Sequence, residues 1–252
     1  MSERFSRTEL LLGADAVKRL ASSRVLVAGL GAVGSYAVEG LARAGVGELR
    51  LVDFDVVQPS NINRQLYAMD STVGQPKVEL AGKRVLDINP DCRVEALRVF
   101  IDEETLPGLL EGPPDVVIDA IDSLNPKVNL LVAATGTAAQ VISSMGAASR
   151  TDPSCVRVGD LWSSRGCPLA RLIRKRLRRR GCERPIRCVY STEPPARVKP
   201  NDGNDAQAQP EHFHRGRPRR PLGSFSCLTG MFGLMAASEA VSHLLGSDAT
   251  AA

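Results

Sequence analysis

Apolar positions along the chain fall into short runs that alternate with longer helical patterns. Residues 24–28 (RVLVA) form a β-branched run that ends in Gly29, Gly31 and Gly34, and residues 35–44 follow with apolar side chains at helical spacing. Residues 48–53 alternate and end in acid, as a parallel strand does, and 75–89 suit a second helix with Pro76 in its first turn. Runs 94–100 and 115–119 predict two further strands, separated by a helical stretch over 103–110 and a Gly-Pro-Pro turn. A helix over 126–137, a strand over 140–144 and an antiparallel extension starting at 155–160 complete this half. Strands alternating with helices at these distances predict an α/β fold, a doubly wound, mostly parallel sheet of Rossmann type.

Beyond Arg165 the pattern changes. Residues 168–180 (PLARLIRKRLRRR) place Leu169, Leu172, Ile173 and Leu177 on one stripe with arginines around it, a basic amphipathic helix. Residues 194–221 are rich in Pro, Gly, Asn and Asp without hydrophobic period, which predicts a long mobile loop. Residues 223–245 return as a turn and an apolar helix that closes the core. The expected organisation is therefore a nucleotide-binding region over 1–164, a basic helix and loop over 165–222, and a core-completing element over 223–252.

Composition narrows the class. With 43% hydrophobic and 24% charged residues in 252, the chain is neither disordered nor collagenous, and it is long enough to bury a core without disulfides. The ten N-terminal residues hold no apolar core of signal-peptide length, and the most apolar late stretch, 228–245, is interrupted by Glu239 and His243. No membrane span and a cytoplasmic location are expected. None of the six cysteines sits in a C-x-x-C pair, so a zinc site of that kind is not expected and a reducing compartment is the simpler reading.

The net charge of +4 conceals a strong asymmetry. Residues 165–220 carry 16 Lys or Arg against 5 Asp or Glu, whereas the remainder carries 16 against 23. A local positive segment on an acidic body points to a polyanionic partner, with a solvated charged face as the plainer alternative.

The glycine series after a strand is the nucleotide-binding fingerprint: it permits a tight turn and presents helix N–H groups to phosphate. Asp53 follows 19 residues beyond Gly34 at a strand end, where a carboxylate accepts from ribose hydroxyls. A merely structural turn is the alternative. Arg64, in the segment Asn61-Ile-Asn-Arg-Gln, and Lys77 at the next helix start supply cations of the kind that triphosphate cleavage needs, unless each is a solvated surface charge. Asp122 stands where the fourth strand ends; it is a candidate Mg²⁺ ligand or, with Ser123, a helix N-cap.

The ordered series GLGAVGS, LVDFD, NINRQ, VGQPK, INP and DAIDS resembles the ubiquitin-activating-enzyme-like superfamily, the ThiF/MoeB group that adenylylates carboxylates with ATP and Mg²⁺. The resemblance covers roughly residues 4–146. It implies nucleotide contacts from Gly29, Gly31, Gly34, Asp53 and Asp55, triphosphate contacts from Asn61 and Arg64, a phosphate contact from Lys77 and a metal contact from Asp122. It makes Arg64, Lys77 and Asp122 the catalytic set. It also implies a homodimer in which Arg4 or Arg7 reaches the partner's ATP.

The second half separates branches of that family. Members that activate ubiquitin-like sulfur carriers typically carry two C-x-x-C pairs, which this chain lacks. Cys167-Pro-Leu-Ala, the helix RLIRKRLRRR and Val189-Tyr-Ser-Thr-Glu resemble the branch that cyclises threonylcarbamoyladenosine at position 37 of tRNA, with Cys167 standing where that branch usually has Asp. The implied partners are such a tRNA and a sulfur-transfer protein. Arg171, Arg174, Lys175, Arg178, Arg179, Arg215 and Arg217 are the expected RNA contacts, with Arg219 and Arg220 nearby.

Three rivals follow: activation of a ubiquitin-like carrier's C-terminus, a non-catalytic nucleotide-sensing RNA-binding module, and a redox enzyme. Cys167, Cys182 and Cys188 lie among arginines that would favour a reactive thiolate and with it a covalent role, but buried small apolar side chains are the plainer reading for them, and Cys92, Cys155 and Cys227 read as packing.

Overall fold

A computed structural model describes residues 3–196 and 222–246. Seven strands, β1 (Arg24–Ala28), β2 (Glu48–Val52), β3 (Arg93–Leu97), β4 (Val116–Asp119), β5 (Gln140–Ser144), β6 (Val156–Asp160) and β7 (Arg187–Ser191), form one sheet in the order β3-β2-β1-β4-β5-β7-β6. Every pair is parallel except β6 with β7. The helices are α1 (Ser6–Leu12), α2 (Ala14–Ala21), α3 (Gly34–Ala44), α4 (Lys77–Ile88), α5 (Leu106–Leu110), α6 (Leu124–Thr135), α7 (Pro168–Arg179) and α8 (Ser226–Leu244).

Strand β1 shows how the sheet is buried on both sides. Val25 and Val27 enter one apolar cluster with α2, α3, α4 and α8, while Leu26 and Ala28 enter a second with α5, α6 and α7. Successive side chains point to opposite faces, so a continuous apolar run suits a sheet covered on both. Strand order reverses between β1 and β4, and ligands of open α/β sheets bind outside the carboxyl ends of strands at such a switch point.

Helix α8 lies close along α3. A Cβ on Gly233 would stand 2.3 Å from Val33 O and 2.8 Å from Tyr36 Cβ, so only glycine permits this approach. Glu239, the acid that interrupts the apolar stretch, accepts from Arg187 Nε at 2.6 Å and so joins α8 to β7. Among the described residues, no helix is long and apolar enough to cross a membrane.

The doubly wound sheet and its antiparallel extension are as the periodicity predicts, and β1 and β5 keep the expected bounds. Differences have physical causes. Strand β7 lies in the arginine-rich segment, where alternation is brief, yet it is held between β5 and β6. In α7, Ala170, Ile173 and Leu177 are buried, whereas Leu172, expected on the apolar stripe, is 45% exposed. The expected loop at 194–221 lies outside the described residues beyond Ala196 and before Leu222.

Candidate nucleotide-binding site

At the switch point the chain leaves β1 into a turn that only glycines allow. Gly29 has φ +86°, and a Cβ on it would stand 2.9 Å from Ala120 O of the β4–α6 loop. A Cβ on Gly34 would lie 1.7 Å from Gly29 O, because the turn folds back on itself as α3 begins. Gly31 differs. Within 4 Å, such an atom would meet only the Gln65 side-chain nitrogen, at 3.7 Å. Val33, at the N-cap of α3, makes no side-chain cap bond, so the first helix amides have no side-chain acceptor there. Gln65 Oε1, on the side chain that faces this loop, is buried and has no hydrogen-bond partner among the described residues.

Asp53 ties the second strand to the loop. Its Oδ2 accepts from Leu30 N at 2.7 Å and its Oδ1 from Asp55 N at 2.8 Å. Burial pushes its carboxyl above the ordinary range, with the nearby Lys77 ammonium opposing. Lys77 is 5% exposed, and its Nζ donates to Asp55 Oδ2 at 3.0 Å. An ammonium this buried needs an anion, and Asp55 provides it. Asn61 and Arg64 occupy the turn that follows: Asn61 Oδ1 accepts from Gln58 N, and Arg64 Nη1 donates to Ser60 O at 2.7 Å and Asn63 Oδ1 at 2.9 Å. Thus Asp53, Asp55 and Lys77 are in direct contact, and Asn61 and Arg64 sit on the adjoining turn that also delivers Gln65.

Asp122 is exposed on the loop after β4, whose Ala120 packs against Gly29. Ser123 stands at the N-cap of α6, as the cap reading has it, without a side-chain capping bond. Beneath this loop lies a group that pattern reading misses. Lys127 and Asp119 are both fully buried and pair at 2.7 Å, and Ser143 Oγ donates to the same Asp119 oxygen at 2.6 Å. Burial raises the Asp119 carboxyl, opposed by Lys127. Taking both charges out of water costs several kcal/mol per ion, so such a pair is poor evidence for stability and points to a geometric role. Its one signal in the sequence is the acid Asp119 at the end of the otherwise apolar strand β4.

The basic helix meets the same edge. Arg176 Nη1 donates to Asn125 Oδ1 at 2.5 Å, three residues past Asp122. Arg171, Lys175, Arg178 and Arg179 are exposed, and Arg178 stacks over Trp162 at 5.3 Å from the ring centroid. Arg174 is half-buried, with Nη1 bonded to Leu161 O, Ser164 O and Ser164 Oγ. Arg215 and Arg217, like Arg219 and Arg220, lie outside the described residues. The flanks of that stretch meet at one residue after β5: Ser149 N donates to Gly223 O at 2.7 Å and Ser149 O accepts from Ala196 N at 2.6 Å. Asn63 Nδ2 donates to Ser224 O at 2.8 Å, which brings the Arg64 turn beside this junction.

Cys167, Cys182 and Cys188 are buried, in line with the plainer reading, and burial pushes the Cys188 thiol up to about 12, which argues against a reactive thiolate there. Cys227, expected in packing, is exposed, and Cys155 is half-buried. At the N-terminus, Arg4 Nη1 donates to Ile88 O and Arg7 is exposed on α1.

Fold and site together define a nucleotide-binding α/β protein whose glycine loop, acidic strand end and buried lysine converge at the sheet's switch point. The chain matches the ThiF family over residues 5–252 and belongs to it. A tRNA threonylcarbamoyladenosine dehydratase of Bacillus subtilis is 43% identical over 199 residues, covering 79% of this chain and 78% of that protein. The Escherichia coli protein of the same name is 33% identical over 258 residues, covering 98% and 95%. A crystal structure of the E. coli dehydratase in complex with ATP superposes with a TM-score of 0.84 at 31% identity, covering 97% of this chain and 94% of that one.

Proposed function

We propose that the chain is an ATP-dependent dehydratase that cyclises the threonylcarbamoyl group of threonylcarbamoyladenosine in tRNA by adenylylating its carboxylate. The observation that carries this reading is the Arg176–Asn125 bond, which holds a helix with an exposed basic face three residues from Asp122 at the nucleotide edge. A polyanion on that face would meet the loop that carries the expected metal ligand.

ATP fits the residues present. The open space at Gly31 and the unpartnered Gln65 Oε1 suit a bound nucleotide, and the N-terminus of α3 suits its phosphates. Asp53 would accept from a ribose hydroxyl while holding the Leu30 amide. Lys77 would exchange or share its Asp55 partner for phosphate oxygen, and Arg64 would stabilise the charge that develops as pyrophosphate departs. Mg²⁺ fits as well, since it keeps several waters and takes one or two protein carboxylates beside phosphate oxygens. Asp122 is the residue that would hold it, and the ion would neutralise phosphate charge.

In this reading the substrate carboxylate oxygen attacks the α-phosphorus of ATP and pyrophosphate leaves. A nitrogen or oxygen of the same modified nucleoside then attacks the activated carbonyl and AMP departs with the carboxylate oxygen. The nucleoside loses one water and the protein supplies no covalent nucleophile, in keeping with burial of Cys167, Cys182 and Cys188. Arg171, Arg174, Lys175, Arg178, Arg179, Arg215 and Arg217 belong to the proposed RNA surface, within which Arg174 also anchors the segment before α7. A homodimer would cover the exposed Leu10 and Leu11 of α1 or Met231 and Leu234 of α8, and a sulfur-transfer protein and a cytoplasmic setting belong to the same reading.

The test measures AMP and pyrophosphate formed from MgATP with tRNA that carries threonylcarbamoyladenosine and with tRNA that lacks it, followed by nucleoside mass. Turnover only with the modified tRNA and a nucleoside lighter by one water is the expected result. Pyrophosphate exchange that requires a glycine-ended carrier protein and ignores both tRNAs would replace this reading with carrier activation.

A further inference from the structure

We infer that the buried Lys127–Asp119 pair is a positioning device for Asp122, setting the direction in which that carboxylate meets the nucleotide-bound cation. The inference rests on the proposed role of Asp122 and extends it to residues that touch neither nucleotide nor metal.

Ile121 immediately precedes Asp122. Its amide donates to Asp119 Oδ1 at 3.2 Å, and its carbonyl accepts from Lys127 Nζ at 3.0 Å. Both polar groups of this residue are therefore bonded to the pair, one to each charge. With its N–H and C=O directions set, the peptide leading into Asp122 has little rotational freedom. The pair is itself anchored on three elements: Asp119 ends β4, Lys127 lies in the first turns of α6, and Ser143 of β5 donates to Asp119 Oδ2. Lys127 N also donates to Ser123 O at 3.1 Å, which closes the loop on the far side of Asp122.

This loop also forms one wall of the glycine turn. Ala120, between Asp119 and Ile121, donates its N–H to Ala28 O at 2.8 Å, and its carbonyl fills the space that a Cβ on Gly29 would need. One buried pair thus fixes the loop that presents Asp122 relative to the loop expected to hold the phosphates. Residues of well-packed apolar character would fill the same volume without the desolvation cost, but none of them would orient both ends of a peptide. Supporting partners of this kind tune metal affinity by roughly 10- to 100-fold when removed.

The experiment compares ATP affinity of the full chain by calorimetry in saturating Mg²⁺ and in EDTA; the ratio of the two affinities measures the coupling of metal to nucleotide. Wild type sets the ratio, and Asp122→Ala is expected to bring it near one. Asp119→Asn combined with Lys127→Met, which removes both charges together, is expected to retain a cooperative thermal transition. It should lower the ratio by roughly tenfold or more while affinity in EDTA changes little. Ser143→Ala, which keeps the charges paired and removes one bond to Asp119, should lower the ratio by a smaller factor.

A purely structural pair predicts another pattern: a lower melting temperature and equal weakening of ATP with and without Mg²⁺, leaving the ratio intact. A folded double variant with the wild-type ratio overturns the inference while Asp122 keeps its role. Should the double variant not fold, an unchanged ratio in Ser143→Ala overturns it. An Asp122→Ala protein with the wild-type ratio removes the metal reading of Asp122, and this inference with it.

Discussion

Replacing Gly31 with alanine separates folding from nucleotide binding more cleanly than any other change in the glycine turn. The new methyl carbon would meet only Gln65 Nε2, at 3.7 Å, an ordinary contact, and Gly31 is not in the left-handed region. Alanine there should leave the apo protein as stable as wild type, or more stable by up to about 1 kcal/mol through a stiffer unfolded chain. The methyl would stand where a phosphate is expected to approach the backbone. Displacing that phosphate forfeits a hydrogen bond to a charged group worth about 1.5–3 kcal/mol, a loss of affinity on the order of 10- to 100-fold. Gly34→Ala is the contrast: its methyl would overlap Gly29 O at 1.7 Å, so fold stability should fall by about 1–3 kcal/mol and ATP affinity should fall too. Urea unfolding gives the stabilities and calorimetry with ATP gives the affinities. A Gly31→Ala protein that binds ATP within about threefold of wild type, well short of the loss expected for a displaced phosphate, would refute the placement of phosphate above Gly31.

Other outcomes follow from single contacts. Glu39 of α3 takes a bidentate pair of bonds from Arg84 of α4 and one from Arg43; although burial raises its carboxyl, these bonds hold it below the ordinary value of 4.5. A lowered pKa contributes stability above pH 4.5 that is lost as pH falls through the folded value, so Glu39→Gln should melt earlier at pH 7 by roughly 2–4 °C, with the difference vanishing in acid. Ser149 sits at φ +58° with a buried Oγ that has no hydrogen-bond partner among the described residues; Ser149→Gly should stabilise by about 1 kcal/mol in urea melts. With iodoacetamide at pH 8, mass spectrometry should find Cys227 modified first in the folded protein, and Cys188, with its thiol held near 12, only after unfolding.

Much of this arrangement is legible in the sequence because its signals are local. The run RVLVA, the glycines at 29, 31 and 34 and the acid at 53 each declare themselves within a few residues, and their spacing places them at one sheet edge. Helix α7 likewise shows its apolar stripe, although Leu172 at the stripe's margin remains exposed. What escapes is non-local. Lys127 looks like any helical lysine until β4 and β5 bring Asp119 and Ser143 against it. Strand β7 is short and set among arginines, so its character comes from neighbours on both sides rather than from its own pattern. The depth of Cys167, Cys182 and Cys188 is non-local too: nearby arginines in sequence say nothing of how far α7 and β7 draw a side chain into the core.

The seating of α8 on α3 places a demand on biosynthesis. Helix α3 follows directly on the glycine turn, yet its face that carries Tyr36, Ala37 and Gly40 is covered by α8, about 180 residues later. At roughly 5–20 residues per second, a nascent chain would wait on the order of ten to forty seconds between emergence of the two. During that interval the face of α3 that α8 covers has no partner from α8, and that same helix carries the end of the glycine turn at its N-terminus.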